Sequence, residues 1–330
     1  MENRIRNKNT FESVSVVMSM RNASTTVLYA LKSITRQKYP IREIIVVDNV
    51  SKDNSRELVL EFAKKSKIPI QLLKQKKDGG ISTSYNRGGN IAKSSLIVFM
   101  STDASLPSEG ELERLTDPFR EDPLVVATYS RNTLPSFVWN KYNFWQKFYS
   151  SRQVDSTRSG FVLKFDCVRR DVFLKINGLD ENFFGDDAVG GEDADISLRL
   201  RKEGKVIHSN ALSYHLHYMG NDYGLSHIMK SKKIYARDYG RVIRKEIYLF
   251  PLEASVFLIK PVISVLPFVP NFHLIGFIVL IVYALLISKR MFLTYSTLIN
   301  PRIILVPFLD IFFLYYEDFW MIQAIFSKKK

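Results

Sequence analysis

Val46-Val47-Asp48-Asn49-Val50-Ser51-Lys52-Asp53-Asn54-Ser55 is an apolar run that breaks into polar residues and then into a helical pattern. Residues 43–47 have the β-branched content of a buried strand, and Leu58, Val59 and Phe62 share a helical face. The same unit recurs on both sides. Residues 14–18 predict a strand, after which Asn22 or Ser24 is placed to cap a helix with Val27, Leu31 and Ile34 on one face, closed by Pro40. Downstream, residues 70–73 predict a third strand, Gly79-Gly80 opens a helix over 82–93, and 96–100 predict a buried strand ending at Ser101-Thr102-Asp103. Strands alternating with amphipathic helices predict an α/β fold, a mostly parallel sheet with helices on both faces. Ligands of such sheets lie at the carboxyl ends of the strands. The four polar corners at 19–22, 48–55, 78–86 and 101–103 therefore fall on one functional edge.

No Gly-x-Gly-x-x-Gly follows the first strand and no Gly-Lys-Ser/Thr occurs, so dinucleotide and P-loop ATP sites lose their strongest support. A second acidic stretch, Gly190-Gly191-Glu192-Asp193-Ala194-Asp195, leads into a helix with Ile196 and Leu200 on its buried edge and Gly204 at its cap. Three carboxylates at the positive end of a helix complement its dipole, and they also place acid–base chemistry at a fixed address.

The chain has 330 residues and a formal net charge of +14. Nucleic acid is not expected as a partner, because no zinc-finger or RNA-recognition signature accompanies the charge. Instead Lys230, Lys232, Lys233, Arg237, Arg241, Arg244 and Lys245 gather in a basic helix over 226–246, next to an apolar region. The expected organisation is a cytosolic domain over 1–248 and a membrane region over 249–330. Within the latter, 249–270 is broken by charge and proline and suits an interfacial helix, or else a buried one, while 272–288 and 303–326 read as transmembrane helices. Asp310, Glu317 and Asp318 in the second would turn inward or sit at an interface. Two crossings and the lysine tail at 328–330 predict an integral membrane protein with its catalytic domain in the cytoplasm. Met1 to Thr10 lacks the apolar core of a signal peptide, and the lone Cys167 fits a reducing compartment.

Taken in order, these blocks resemble the family 2 glycosyltransferases of the GT-A fold, a Rossmann-like architecture, over about residues 13–217. The blocks are Ser19-Met20-Arg21-Asn22, the run from Val46 to Ser55, Gly79 to Gly88, Phe99 to Asp103, Arg169 to Phe173 with Gly178 to Glu181, and Gly191 to Asp195. The resemblance implies transfer of a sugar from a nucleotide diphosphate-sugar to an acceptor hydroxyl with inversion. It implies that Asp193 is the base, with Glu192 orienting the acceptor or tuning that base. Ser19, Arg21, Asn22, Asp48, Asp53, Asn86, Thr102 and Asp103 would line the nucleotide-sugar site, with Asp48 on the nucleobase. Asp103 would hold Mn²⁺ or Mg²⁺, joined by His215 or His217. The chain departs from the family at Ser101, which replaces the first carboxylate of the Asp-x-Asp pattern, and Tyr85 stands where an arginine is common.

Residues 137–149 are rich in aromatics, with Trp139 and Trp145 among them and Arg152 close behind. They read as an acceptor or membrane side, or as a core helix. Membrane attachment motivates a lipid-linked glycan or surface-polysaccharide precursor as acceptor. A polyprenyl-phosphate monosaccharide synthase is the enzymatic alternative. A degenerate transferase kept as a membrane scaffold or binding subunit is the alternative from another class.

Overall fold

A computed structural model describes residues 13–154, 160–181, 191–217, 223–246 and 259–327. Arg158, Gly190, residues 1–12, the start of the expected interfacial segment up to 258, and the lysine tail lie outside the described residues. The chain divides into two compact units. One, taking in Met1–Asn132, Ser159–Leu179 and Arg199–Tyr214, is built on the sheet; the other takes in Thr133–Arg158, Asp180–Leu198 and His215–Lys330.

The strands β1 (Val14–Met20), β2 (Ile41–Asp48), β3 (Ile70–Lys74) and β4 (Leu96–Ser101) form the parallel half that the alternation predicts, in the order β3-β2-β1-β4. Val16, Met18, Ile44, Val46, Val98 and Met100 are buried in a core shared with Val27, Leu31 and Ile34 of the helix Val27–Thr35. The other half is mixed. Beyond β4 come β7 (Phe165–Arg169), β6 (Val125–Thr133), β8 (Lys205–His215) and the two-residue β5 (Ala104–Ser105). Here β7 pairs antiparallel with both β4 and β6, so the fold is a mixed α/β sheet rather than a mostly parallel one.

Neither Asn22 nor Ser24 caps the first helix. Its N-cap is Thr26, without a side-chain cap bond. Asn22 instead takes a left-handed backbone (φ 49°) and accepts the Lys52 N–H, while its own N–H donates to Ser51 Oγ. The first corner is thus fastened to the second.

In the second unit, the helix Leu225–Glu246 packs along the C-terminal helix Val306–Phe326, so close that a Cβ on Gly240 would stand 2.3 Å from the Met321 carbonyl. Its basic side chains are partly spent inside the protein. Lys232 pairs with Glu317, and Lys233 lies 3.6 Å from the Trp320 ring.

The expected membrane crossings are not found, and with them falls the placement of the protein as integral with a cytoplasmic catalytic domain. The first apolar helix, His273–Ile287, has 15 residues, short of the roughly 20 that a crossing needs. The second has 21, but Asp310, Glu317 and Asp318 interrupt it. Among the described residues no helix is long and apolar enough to cross a membrane. The three carboxylates do turn inward, and Glu317 is held by both Lys232 and Lys260.

Candidate functional site

The parallel register sets the predicted corners side by side. Ser19 lies opposite both Val47 and Ser101, and Met20 lies opposite Asp48, so β1, β2 and β4 end together. Thr102 continues this edge, its hydroxyl donating to the Ser19 carbonyl at 3.3 Å.

Asp48 is 1% exposed. Its Oδ1 accepts the Ser51 N–H at 3.2 Å, Arg56 Nε stands 3.8 Å from Oδ2, and Oδ2 itself accepts no hydrogen bond. A buried carboxylate oxygen left short of a donor is costly, so this end of β2 is suited to receive an N–H from a ligand. Arg21 bonds to Asp78, which also accepts from Asn49 and from the Gly80 N–H. Burial pushes the Asp78 carboxyl up, but these donors outweigh it and hold the group below the usual carboxylate range.

Two predicted ligand residues have structural partners instead. Asp53 accepts from the Ser24 N–H and from Ser55, which binds the 22–24 turn to the start of the next helix. Burial would raise this carboxyl, yet the Ser55 and Ser24 bonds lower it. Asn86 is buried, its amide giving a bond to the Leu179 carbonyl and taking one from the Leu179 N–H, each at 2.8 Å. It clamps the Gly178 turn, where φ is +61°. Tyr85 is likewise internal, donating to the Leu163 carbonyl and packing edge-on against Phe99.

Asp103 bonds to Ser101 Oγ and faces Lys164, whose Nζ lies 3.1 Å from Oδ1 and 3.4 Å from Oδ2. Sequence reasoning missed Lys164. It arrives because the Ser101 N–H donates to the Lys164 carbonyl across the antiparallel β4–β7 side of the sheet. At the end of β8, His215 and His217 point their rings together, with centroids 5.0 Å apart. Two imidazoles side by side are donors fit for Mn²⁺ or a similar divalent ion. The sequence left His215 and His217 as alternatives; the structure sets the two rings beside each other.

Glu192 and Asp193 open the helix Glu192–Glu203, whose approach is turned by Gly191 at φ +91°. Asp193 Oδ1 accepts the Ala194 N–H at 2.7 Å, and Asp195 is fully buried. Further along, Arg199 donates to the Ile176 and Gly178 carbonyls, which fixes the helix to the turn that Asn86 clamps. Tyr235 and Tyr239, also missed from the sequence, sense these carboxylates. Each ring keeps about two-fifths of its surface exposed, and desolvation of the covered part, with the charges of Asp193 and Glu192, raises both phenols.

The aromatic segment divides. Trp139 is fully buried, with Lys147 and Arg290 over its ring, so it is a core residue and not an exposed stacking platform. Trp145 is half-buried and packs edge-on against Phe144. Arg152 lines a small cavity with Lys232, Tyr283, Asp310 and Glu317.

The fold has a solved counterpart. The mannosyltransferase PcManGT from Pyrobaculum calidifontis, in complex with GDP-Man and Mn²⁺, superposes with a TM-score of 0.62 at 14% identity, covering 98% of this chain and 90% of that one. The architecture is therefore GT-A-like. Residues 15–175, a little under half of the chain, match the profile of glycosyl transferase family 2, and this match supports a family 2 glycosyltransferase. Among its relatives, the minor teichoic acid biosynthesis protein GgaB of Bacillus subtilis (strain 168) is 27% identical over 208 residues, 61% of this chain and 22% of GgaB. The UDP-Glc:alpha-D-GlcNAc-diphosphoundecaprenol beta-1,3-glucosyltransferase WfgD of Escherichia coli is 33% identical over 90 residues, 27% of this chain and 34% of WfgD. The chain thus matches only about a fifth and a third of the lengths of these two relatives.

Proposed function

We propose that the protein transfers a sugar from a nucleoside diphosphate-sugar to a hydroxyl of a lipid-linked glycan or surface-polysaccharide precursor, with inversion at the anomeric carbon. The observation that carries the donor side is the common edge of β1, β2 and β4, where the underbonded Asp48 carboxylate and the Asp103 corner stand together. Asp48 receives an N–H of the base, and the Ser19 and Thr102 edge supports the nucleoside. Asp103 would hold a divalent ion, with His215 or His217 as the further ligand that the family resemblance implies, and that ion would supply positive charge to the departing diphosphate. Lys164, beside the same carboxylate, adds a cation that would meet the charge of the diphosphate.

Asp193 accepts the proton of the acceptor hydroxyl as that oxygen attacks, and Glu192 orients the acceptor. The names of GgaB and WfgD, one in teichoic acid synthesis and one acting on a diphosphoundecaprenol-linked sugar, support the acceptor class. The test is transfer to undecaprenyl-diphosphate-linked sugars, using a panel of UDP-, GDP- and dTDP-sugars. Asp193→Asn is expected to lower turnover by about a hundredfold or more while keeping donor affinity. Unchanged turnover in that variant removes Asp193 from the mechanism.

A further inference from the structure

The helices Ile259–Val265, His273–Ile287 and Val306–Phe326 pack on one another, yet much of their outer side is bare. Phe268, Leu274, Leu293, Tyr295, Ile304 and Phe308 are each between 68% and 77% exposed. So large an apolar surface marks a place of contact rather than ordinary solvent exposure. Its charges point to the occupant. Every carboxylate of residues 259–327, namely Asp310, Glu317 and Asp318, is turned into the unit, whereas Lys289 and Arg302 are exposed. An outer face of apolar side chains with cations only is complementary to an anionic surface. A second copy of this face would bring no carboxylate to meet Lys289 and Arg302. At 15 residues, His273–Ile287 is shorter than the roughly 20 that a crossing needs.

We propose that this face rests flat on an anionic lipid surface, without crossing it. The inference deepens the reading of the acceptor, because a transferase lying on lipid meets a lipid-linked substrate in two dimensions. It does not depend on the donor assignment.

The experiment is cosedimentation of the full chain with sucrose-loaded vesicles of phosphatidylcholine, with and without phosphatidylglycerol. Binding is expected to the anionic vesicles, weakening as salt is raised. The double variant Leu274→Glu and Phe308→Glu changes exposed positions only. It is expected to bind these vesicles about tenfold less well while its thermal midpoint and donor-induced stabilisation are kept. A fluorophore on Leu293→Cys reports the contact directly by a blue shift on vesicle addition, since Cys167 is fully buried and its thiol is pushed up by burial. A chain that stays in the supernatant, or a double variant that binds vesicles as the parent does, overturns the proposal. Light scattering that shows a dimer lost in the double variant, with no vesicle binding, assigns the face to a second copy and also overturns it. Donor binding that persists in either case leaves the proposed function standing.

Discussion

Lys164 sits where a divalent ion must compete with it. Its ammonium group lies 3.1 Å from Asp103 Oδ1, in a corner where Ser101 offers a hydroxyl and no charge. Removing the ammonium frees the carboxylate for the ion but takes a cation from the diphosphate. Lys164→Ala is therefore expected to bind Mn²⁺ about two- to fivefold more tightly, the range a partly exposed ion pair supports. The same variant is expected to bind nucleoside diphosphates less well. Calorimetric titration with Mn²⁺ alone reads the first effect, and an affinity unchanged or weakened would show that Lys164 does not oppose the ion. Nothing local in the sequence marks this residue, because its approach to Asp103 depends on strand pairing between positions 61 residues apart. The place of Ser19, Asp48 and Asp103 at the strand ends was legible because each follows an apolar run. Asp53 and Asn86 had the right types and spacing, but their side chains are taken up by turns.

At the scale of the element, the C-terminal helix holds its charges by two different means. Burial would raise the Glu317 carboxyl, but Lys232 and Lys260 outweigh it and bring the group down to about 2. Asp310 lacks such partners. Burial raises it to about 7, against the weaker pull of Ser288 and of the cations Lys232 and Arg152. A carboxyl raised in the folded state binds its proton more tightly there than in the unfolded chain. Its contribution to stability is complete below the ordinary carboxylate range and is lost as pH rises through about 7. Asp310→Asn is expected to flatten the fall in thermal midpoint between about pH 5 and about pH 8, leaving a smaller slope from Asp318, which burial also raises. Equal slopes in parent and variant would show that Asp310 keeps its charge. Where this helix crosses Leu225–Glu246, Gly240→Ala would gain up to about 1 kcal/mol of helix propensity. The new Cβ meets a backbone carbonyl at 2.3 Å, so overpacking wins and a net loss of about 1–3 kcal/mol is expected from denaturant titration. A stabilised variant would contradict so close a crossing.

Over the whole molecule, the parallel half of the sheet could be read because each strand and its following helix form a local pattern. The mixed half could not. The strands β6 and β7 find their places through long-range antiparallel pairing, and β8 joins them from far along the chain, none of which periodicity encodes. The aromatic run around Trp139 shows a similar limit, since one composition serves a buried core and an exposed surface alike. Hydropathy also overstated the C-terminal region. The residues are apolar enough to suggest crossings, but their helices are too short or too acidic to make them. The assigned donor edge is tested most directly by calorimetric titration of the protein with UDP-, GDP- and dTDP-sugars, with and without Mn²⁺, in parent and Asp103→Asn. The account predicts that one class of donor binds in the presence of Mn²⁺, and that Asp103→Asn weakens this binding about tenfold or more at an unchanged thermal midpoint. Donor binding equally tight in Asp103→Asn, or absent from the folded parent with every donor, would contradict it.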